Sequence, residues 1–483
     1  MKDLILILPE IYLLITLVGI LLSEIGYHGE KFRLVKLTAL VGLCGSLVQV
    51  LLTYPYTPSA ALNQTLAVDG LALFFKALFL LIAIQAVWVV SFSKEIKEDQ
   101  KSEYCAFVVG ATLAMSIAAS SSHLLIGFLV LQMLQMCFYF LEAFGKKSLI
   151  AVEASLKHWI FSTVGAVFFL FGIILLMCWT GAGTLIEIRQ ALAAAPLSHP
   201  LGWIVFLLVF FAFSFQIGVF PMYFWVPDVL EGAPTPVSAF ISIGTVAATL
   251  SFVIRFLLNV FIQPTLELEQ WQVMGGIAWP GFLASISCVS LIIGPLLAIR
   301  QVGMKRLCAS LLISESGFFL FGILALNQTG IVAILYNVLI ELFSIMGIFC
   351  VLSFFKDVFG SDRLSHLRGV FKSAVPECLA ILLFLACLVG LPPFPGFIGK
   401  FALIGVAVQK EWYGLALAGT VSMALAVGVF AKFAYGLVGD FYFSGHIPVA
   451  IQAGDDSFLQ HCLCHLFYWD YLLIMFFTWQ SSL

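Results

Sequence analysis

"GLPPFPGFIGKFALI", residues 390–404, interrupts an apolar run with three prolines and three glycines and sets a lysine, Lys400, among them. In a water-soluble chain such a stretch would read as a loop. The rest of the chain excludes that reading: its 483 residues are 62% hydrophobic and only 10% charged, and the mean hydropathy is +1.09. A composition of this kind does not fold around a water-exposed surface. The stretch is therefore read as a helix broken inside a membrane.

A helix needs about 20 apolar residues to cross a hydrocarbon core of about 30 Å. Fourteen such runs recur, with cores near 4–22, 35–53, 71–92, 104–121, 124–141, 157–179, 202–222, 236–258, 276–299, 306–325, 329–354, 377–408, 413–437 and 462–480. The expected fold class is all-α, a polytopic membrane bundle of about 14 transmembrane helices. The first run, "LILILPEIYLLITLVGILL", contains Pro9 and Glu10 and lacks a small-residue cleavage site, so it is read as a retained helix and not as a signal peptide. The eleven cysteines lie mostly inside apolar runs, where a thiol acts as a small hydrophobe. The cluster "HCLCH" at 461–465 has metal-ligand residue types, but five adjacent residues can hardly wrap a tetrahedral ion. It is read as an interfacial polar cluster, with no metal site expected. A net charge of −3 and the lack of a basic patch interleaved with aromatics exclude nucleic acid as a partner.

Basic residues collect in alternate loops. Lys31, Arg33, Lys36, Lys94, Lys97, Lys101, Lys146, Lys147, Lys157, Arg300, Lys305, Arg306, Lys356, Arg363, Arg368 and Lys372 fall on one side; Lys2, Arg189, Arg255 and Lys410 fall on the other. Short cytoplasmic loops carry the Lys/Arg excess, so both termini are expected outside the cytoplasm. An even helix count agrees with this.

Lys76, Lys400 and Lys432 are the three lysines left within apolar helices. Lys76 and Lys432 stand near helix ends, where a lysine reaches the interface along its apolar stem. Lys400 lies ten residues before Lys410, a helical rise of about 15 Å, and hence near the midplane. A lysine there costs about 2.5–3.5 kcal/mol on insertion scales and marks an ion or proton path by default. The prolines before it free backbone groups that have to line water or other protein. A second interrupted stretch, "FQIGVFPMYFWVPDVLEGAPTPVSAF" at 215–240, makes a pair with the first. Paired interrupted helices point to inverted repeats.

Six further segments carry a family resemblance: "LPEIYLL" at 8–14, "DGLALFFK" at 69–76, "EASLKHW" at 153–159, "WVPDVLEGAPTPVSAF" at 225–240, "GMKRLCASLLISESGF" at 303–318 and "LVGLPPFPGFIGKF" at 388–401. In this order they resemble motifs of the antiporter-like subunits of respiratory complex I, most closely the N-type subunits of bacterial NADH:quinone oxidoreductases. The resemblance implies two inverted five-helix repeats, each with a Pro-broken helix: N-terminal helices over 1–103, a first antiporter-like half over 104–275, a second over 276–440, and a linker with the last helix over 441–483. It also implies a proton-translocating subunit of the bacterial inner membrane, coupled to quinone reduction, with no redox centre or cofactor of its own. NADH and quinone are used by the whole complex, and the expected partners are its other membrane subunits and the lipid bilayer. A subunit of a cation/proton antiporter or membrane hydrogenase shares the fold and stays open as an alternative, as do a degenerate structural subunit of the membrane arm and a free-standing transporter.

Carried over position by position, the resemblance retains Lys400 in the second broken helix and Lys157 in "EASLKHW". Elsewhere the chain departs from the pattern. A glutamate expected in helix 5 falls on Gln132, a lysine expected in the first broken helix on Gln216, and a lysine expected in helix 8 on Val246. None of these can carry a proton charge. The second half has instead Glu315, where the family has a histidine, and Glu341, at an apolar or tyrosine position. Lys400, Glu315, Glu341 and Lys157 are thus the expected proton-transfer residues. Asp228 and Glu231, beside "GAPTP", are expected to cap the following helix or to feed a proton entrance, with capping preferred. The small-residue runs at 110–122 and 414–428 are read as close-packing surfaces, within the bundle before between subunits. Cysteine-accessibility labelling is expected to find residues 94–103 and 361–372 on the cytoplasmic face and 55–66 on the opposite face; the reverse pattern overturns the orientation.

Overall fold

Inside a bilayer every backbone N–H and C=O has to be paired within its own segment, and the apolar runs accordingly become helices. The computed structural model describes residues 2–26, 31–144, 148–195, 197, 199–264, 271–273 and 278–438. Its helices are α1 (Lys2–Gly26), α2 (Lys31–Thr53), α3 (Gly70–Phe92), α4 (Glu98–Ser120), α5 (Leu124–Glu142), α6 (Leu149–Thr180), α7 (Leu185–Ala194), α8 (His199–Ile217), α9 (Trp225–Gly232), α10 (Thr235–Val260), α11 (Trp279–Arg300), α12 (Met304–Leu324), α13 (Gln328–Phe359), α14 (Val375–Val389), α15 (Pro395–Gln409) and α16 (Tyr413–Val438). Two antiparallel hairpins sit in loops: β1 (Ser59–Ala61) with β2 (Leu66–Val68), Ser59 opposite Val68, and β3 (Ile262–Pro264) with β4 (Trp271–Val273), Ile262 opposite Val273.

Among the described residues twelve helices are long and apolar enough to span a membrane, and the shorter α14 and α15 follow one another as two apolar pieces. These account for the first thirteen expected crossings. The fourteenth, 462–480, lies outside the described residues, as do the linker from 441 and the "HCLCH" cluster. Two sets of five crossings follow the N-terminal helices: α4, α5, α6, α8 with α9, and α10; then α11, α12, α13, α14 with α15, and α16. In each set the fourth crossing is the broken one.

Both breaks are built alike. Gly218 (φ +74°) and Gly390 (φ +82°) end α8 and α14 in the left-handed region, which glycine enters without steric cost. The next amide reaches back five residues in each case, Val219 N to Ser214 O at 3.1 Å and Leu391 N to Ala386 O at 2.9 Å, closing a Schellman-type end. Prolines at 221, 392 and 393 then bar helical continuation. The expected run 202–222 accordingly stops at Ile217, and the run 377–408 divides.

Helix α12 is buried from Leu307 to Leu324 and α10 and α13 nearly throughout, whereas α1, α2 and α6 turn broad apolar faces outward. Leu22, Val41, Val167 and Leu149 are exposed, and a soluble monomer rarely shows apolar surface on that scale. The run 110–122 is buried within the bundle except for the half-buried Ile117, while α16 keeps Leu417 and Val421 exposed.

Charged loops meet at the ends of the bundle. At one end Lys356 pairs with Glu95 at 2.8 Å, Glu95 accepts from Thr235 N at 3.1 Å, and Lys305 donates to Ala233 O at 2.6 Å. Burial pushes the Glu95 carboxyl up, but the Lys305 and Lys356 cations outweigh it and hold the group below its ordinary range. At the other end Arg255 grips Asp69, the N-cap of α3, through two contacts of 2.8 Å. The basic loops around Lys94, Lys305 and Lys356, assigned to one side of the membrane by sequence, thus meet at one end.

Close approach of α11 and α12 depends on Gly294, where an added Cβ would stand 2.7 Å from Ser314 N and 2.9 Å from Ser310 O. Backbone atoms cannot swing aside. Gly294→Ala is expected to destabilise by about 1–3 kcal/mol, whereas Gly281→Ala on the same helix, with nothing within 4 Å, is expected to be neutral or to stabilise by about 0.5–1 kcal/mol. Thermal unfolding in detergent measures both, and equal effects would refute the close packing.

Candidate functional site

The break between α14 and α15 leaves the last carbonyls of α14 without helical partners at the negative end of the helix dipole. Lys400, six residues into α15, turns back to them. Its Nζ donates to Leu388 O at 2.6 Å, to Val389 O at 3.3 Å and to Glu315 Oε1 of α12 at 2.5 Å. An ammonium has three donors, and all three are used. Lys400 and Glu315 are each 2% exposed, so this pair is closed to bulk solvent.

Neighbouring helices complete the pocket. Asn337 Nδ2 of α13 approaches Glu315 Oε2 at 3.5 Å, and the Phe318 ring lies 5.3 Å below the ammonium, within the range of cation–π attraction. Glu341 stands one turn beyond Asn337 on α13, is 4% exposed, and interacts electrostatically with Glu315 and Lys400. The structure therefore joins Lys400 to Glu315 and sets a second buried carboxyl, Glu341, on the helix that carries Asn337. Such an arrangement can hold different numbers of protons without contact with bulk water.

Lys157 is elsewhere. It sits on α6 with 43% of its side chain exposed, 2.8 Å from Glu153 and 3.3 Å from Asp228. Asp228 also pairs with Arg306, and Arg306 Nε reaches Glu231 Oε2 at 3.2 Å. Neither acid caps α10: its N-cap is Pro234, without a side-chain cap. The capping expectation is thus replaced by a surface ion cluster, because Arg306 pairs with both acids and Lys157 joins it at Asp228.

The first break has the same backbone but different chemistry. Its freed carbonyls take neutral donors: Trp225 Nε1 donates to Phe215 O at 2.8 Å and Ser316 Oγ to Ile217 O at 2.7 Å. Gln216 is buried and accepts from Thr249 Oγ1 at 2.9 Å, and Val246 lines a narrow cavity with Ile217, Gly218, Trp225 and Thr245. Gln132 is partly exposed on α5, its Nε2 without a partner among the described residues; Gln135, one turn on, is 1% exposed, with neither side-chain polar atom partnered there. Glu315 and Ser316 are consecutive, so α12 stands between the two breaks and serves both.

Two buried pairs escaped the sequence reading. Lys76 is 1% exposed and 2.7 Å from Glu10 of α1; it does not reach the interface, because a buried carboxylate on another helix meets it first. Glu142 and His158, on α5 and α6, are in contact at 2.6 Å. The signal was present in each case as an ionisable residue at the end of an apolar run or inside a motif. Lys432 does stand near its helix end, where it donates to Ile299 O at 2.6 Å and Gln301 O at 3.0 Å.

These features define a multi-pass membrane protein with a charge group set at the break of a discontinuous helix. The domain described as "NADH:quinone oxidoreductase/Mrp antiporter, TM" matches residues 121–426, and the chain belongs to that family. It is 31% identical over 424 residues to NADH-quinone oxidoreductase subunit N of Chlorobium chlorochromatii, covering 87% of this chain and 82% of that one. A chain in the structure of respiratory complex I from Thermus thermophilus with bound aureothin superposes with a TM-score of 0.76 at 25% identity, covering 95% of both chains. A chain of the membrane-bound sulfane sulfur reductase, an archaeal respiratory membrane complex, has the same fold, with a TM-score of 0.80 at 19% identity over 98% of this chain and 95% of that one.

Leaving one member of a buried pair alone costs about 3–5 kcal/mol, while replacing both by apolar side chains is often neutral. Glu315→Leu alone is expected to destabilise by about that amount, and Glu315→Leu with Lys400→Met to recover most of it. A double-mutant cycle on thermal unfolding checks this; simple additivity would show that the two groups are not coupled.

Proposed function

We propose that this chain is a proton-translocating membrane subunit of an NADH:quinone oxidoreductase in which Lys400, Glu315 and Glu341 form the proton-transfer site. The observation that carries the reading is the Lys400–Glu315 pair at 2.5 Å, closed off beside the carbonyls of a broken helix. The likeness to subunit N supports the parent complex. In that setting the chain lies in a bacterial plasma membrane with both termini outside the cytoplasm and packs against other membrane subunits through lipid-depth faces. Redox chemistry on NADH and quinone belongs to the rest of the complex.

The geometry supports the following mechanism. While Glu315 is ionised, it and the two carbonyls hold Lys400 as an ammonium. Protonating Glu315 removes the main compensating charge, and a buried cation left in this way is raised by about 3–5 kcal/mol, enough to favour passing its proton on. Glu341, near both, is the second carboxyl able to take or supply that proton. Lys157, with Glu153, Asp228 and Arg306, forms the hydrated charged cluster at the end assigned to the cytoplasm, where protons enter. A structural subunit that merely fills the membrane arm would have no use for an amine held this way.

Lys400→Ala removes the titrating group, whereas Lys400→Arg keeps a charge that cannot be released. Both are expected to lower the protons moved per NADH oxidised in proteoliposomes of the assembled complex. Normal pumping by both, at normal abundance, would overturn the reading.

A further inference from the structure

In the first half, where Gln132, Gln216 and Val246 cannot titrate, one fully buried ionisable pair stands inside the bundle among the described residues. Glu142, the last residue of α5, and His158 of α6 are both 0% exposed, and Nδ1 lies 2.6 Å from Oε1. The imidazole stacks on Trp225 at 4.4 Å and 8° and meets the edge of Tyr139 at 5.1 Å and 90°. This packing fixes the ring plane. Trp225 in turn bonds the carbonyl of Phe215 at the first break and lines the cavity shared with Val246. The pair thus stands one aromatic layer from the place where the second half has its lysine.

The far atoms on each side, His158 Nε2 and Glu142 Oε2, have no hydrogen-bond partner among the described residues. A buried polar atom left so costs about 1–3 kcal/mol, and a pair retained only to tie α5 to α6 has no need of two ionisable groups. The pair thus leaves one open polar atom at each of its two ends. We propose that Glu142 and His158 form a two-ended proton relay that serves the first half in place of its missing ionisable residues. The proposal rests on the proton-translocating reading above.

The step balances. A proton binds Nε2 of the neutral imidazole, the Nδ1 proton passes to Glu142 Oε1, and the carboxyl releases a proton to water. The pair is left as one carboxylate and one neutral imidazole with its hydrogen on Nε2, and a reorientation of the ring with exchange of that hydrogen back to Nδ1 has to precede the next proton. No electron moves and no other bond changes.

The test measures protons moved per NADH oxidised by the assembled complex in proteoliposomes for Glu142→Gln, for the double variant Glu142→Leu with His158→Phe, and for Lys400→Ala. The double variant fills the site with apolar volume, so a merely structural role predicts native stoichiometry. The relay predicts a loss of part of the stoichiometry in the double variant and in Glu142→Gln. Should the double variant not assemble, Glu142→Gln, which keeps volume and a hydrogen bond to His158, decides alone. Native stoichiometry in the pair variants together with a loss in Lys400→Ala overturns the relay and leaves the Lys400 site standing. A loss in the pair variants with a native Lys400→Ala upholds the relay and overturns the Lys400 site, and native values throughout overturn both.

Discussion

A lysine near the middle of a bilayer has to be given partners, and the way Lys400 finds them organises the second half of the bundle. Its ammonium needs three acceptors. Two are carbonyls that exist only because α14 stops at Gly390, and the third is a carboxylate on α12. The break, the lysine and the acid therefore depend on one another: a continuous helix would use those carbonyls itself, and a lysine without Glu315 would be an uncompensated charge. The position of α12 follows from the same requirement, because it has to lie within reach of both breaks.

The two halves share a backbone and differ in what fills it. At Gly218 and Gly390 the chain ends a helix by the same left-handed turn and the same backward hydrogen bond. At the first break the released carbonyls receive an indole N–H and a hydroxyl, donors that satisfy them without storing charge. At the second they receive an ammonium. Helix interruption is thus a structural device separable from the charge that uses it. Neutral side chains at positions 132, 216 and 246 are compatible with the same backbone that carries a charge in the second half.

Charges outside the midplane have a different task. The Glu95, Lys305 and Lys356 group joins the loop before α4 to α10, α12 and α13, and Arg255 joins α10 to the cap of α3. Such links fix where helices end and how far they slide. Between them the contact surfaces are apolar and, as at Gly294, close enough to exclude a methyl group.

Hydropathy and punctuation are written in contiguous residues, and this is why the sequence alone determined the membrane class, thirteen crossings that the described residues contain, both break points, the lysine at the second break and the loops that share one end. What it did not determine was partnership. Glu315 could be named as an acid on the helices before Lys400, but its contact with the ammonium joins residues 85 apart. Glu10 meets Lys76, and Glu142 meets His158, across separate helices. A side chain advances about 100° around a helix with each residue, so a shift of a single position, or a small rotation of one helix, decides whether a buried charge faces lipid, a neighbour or nothing. Only the packing of the helices against each other settles that angle.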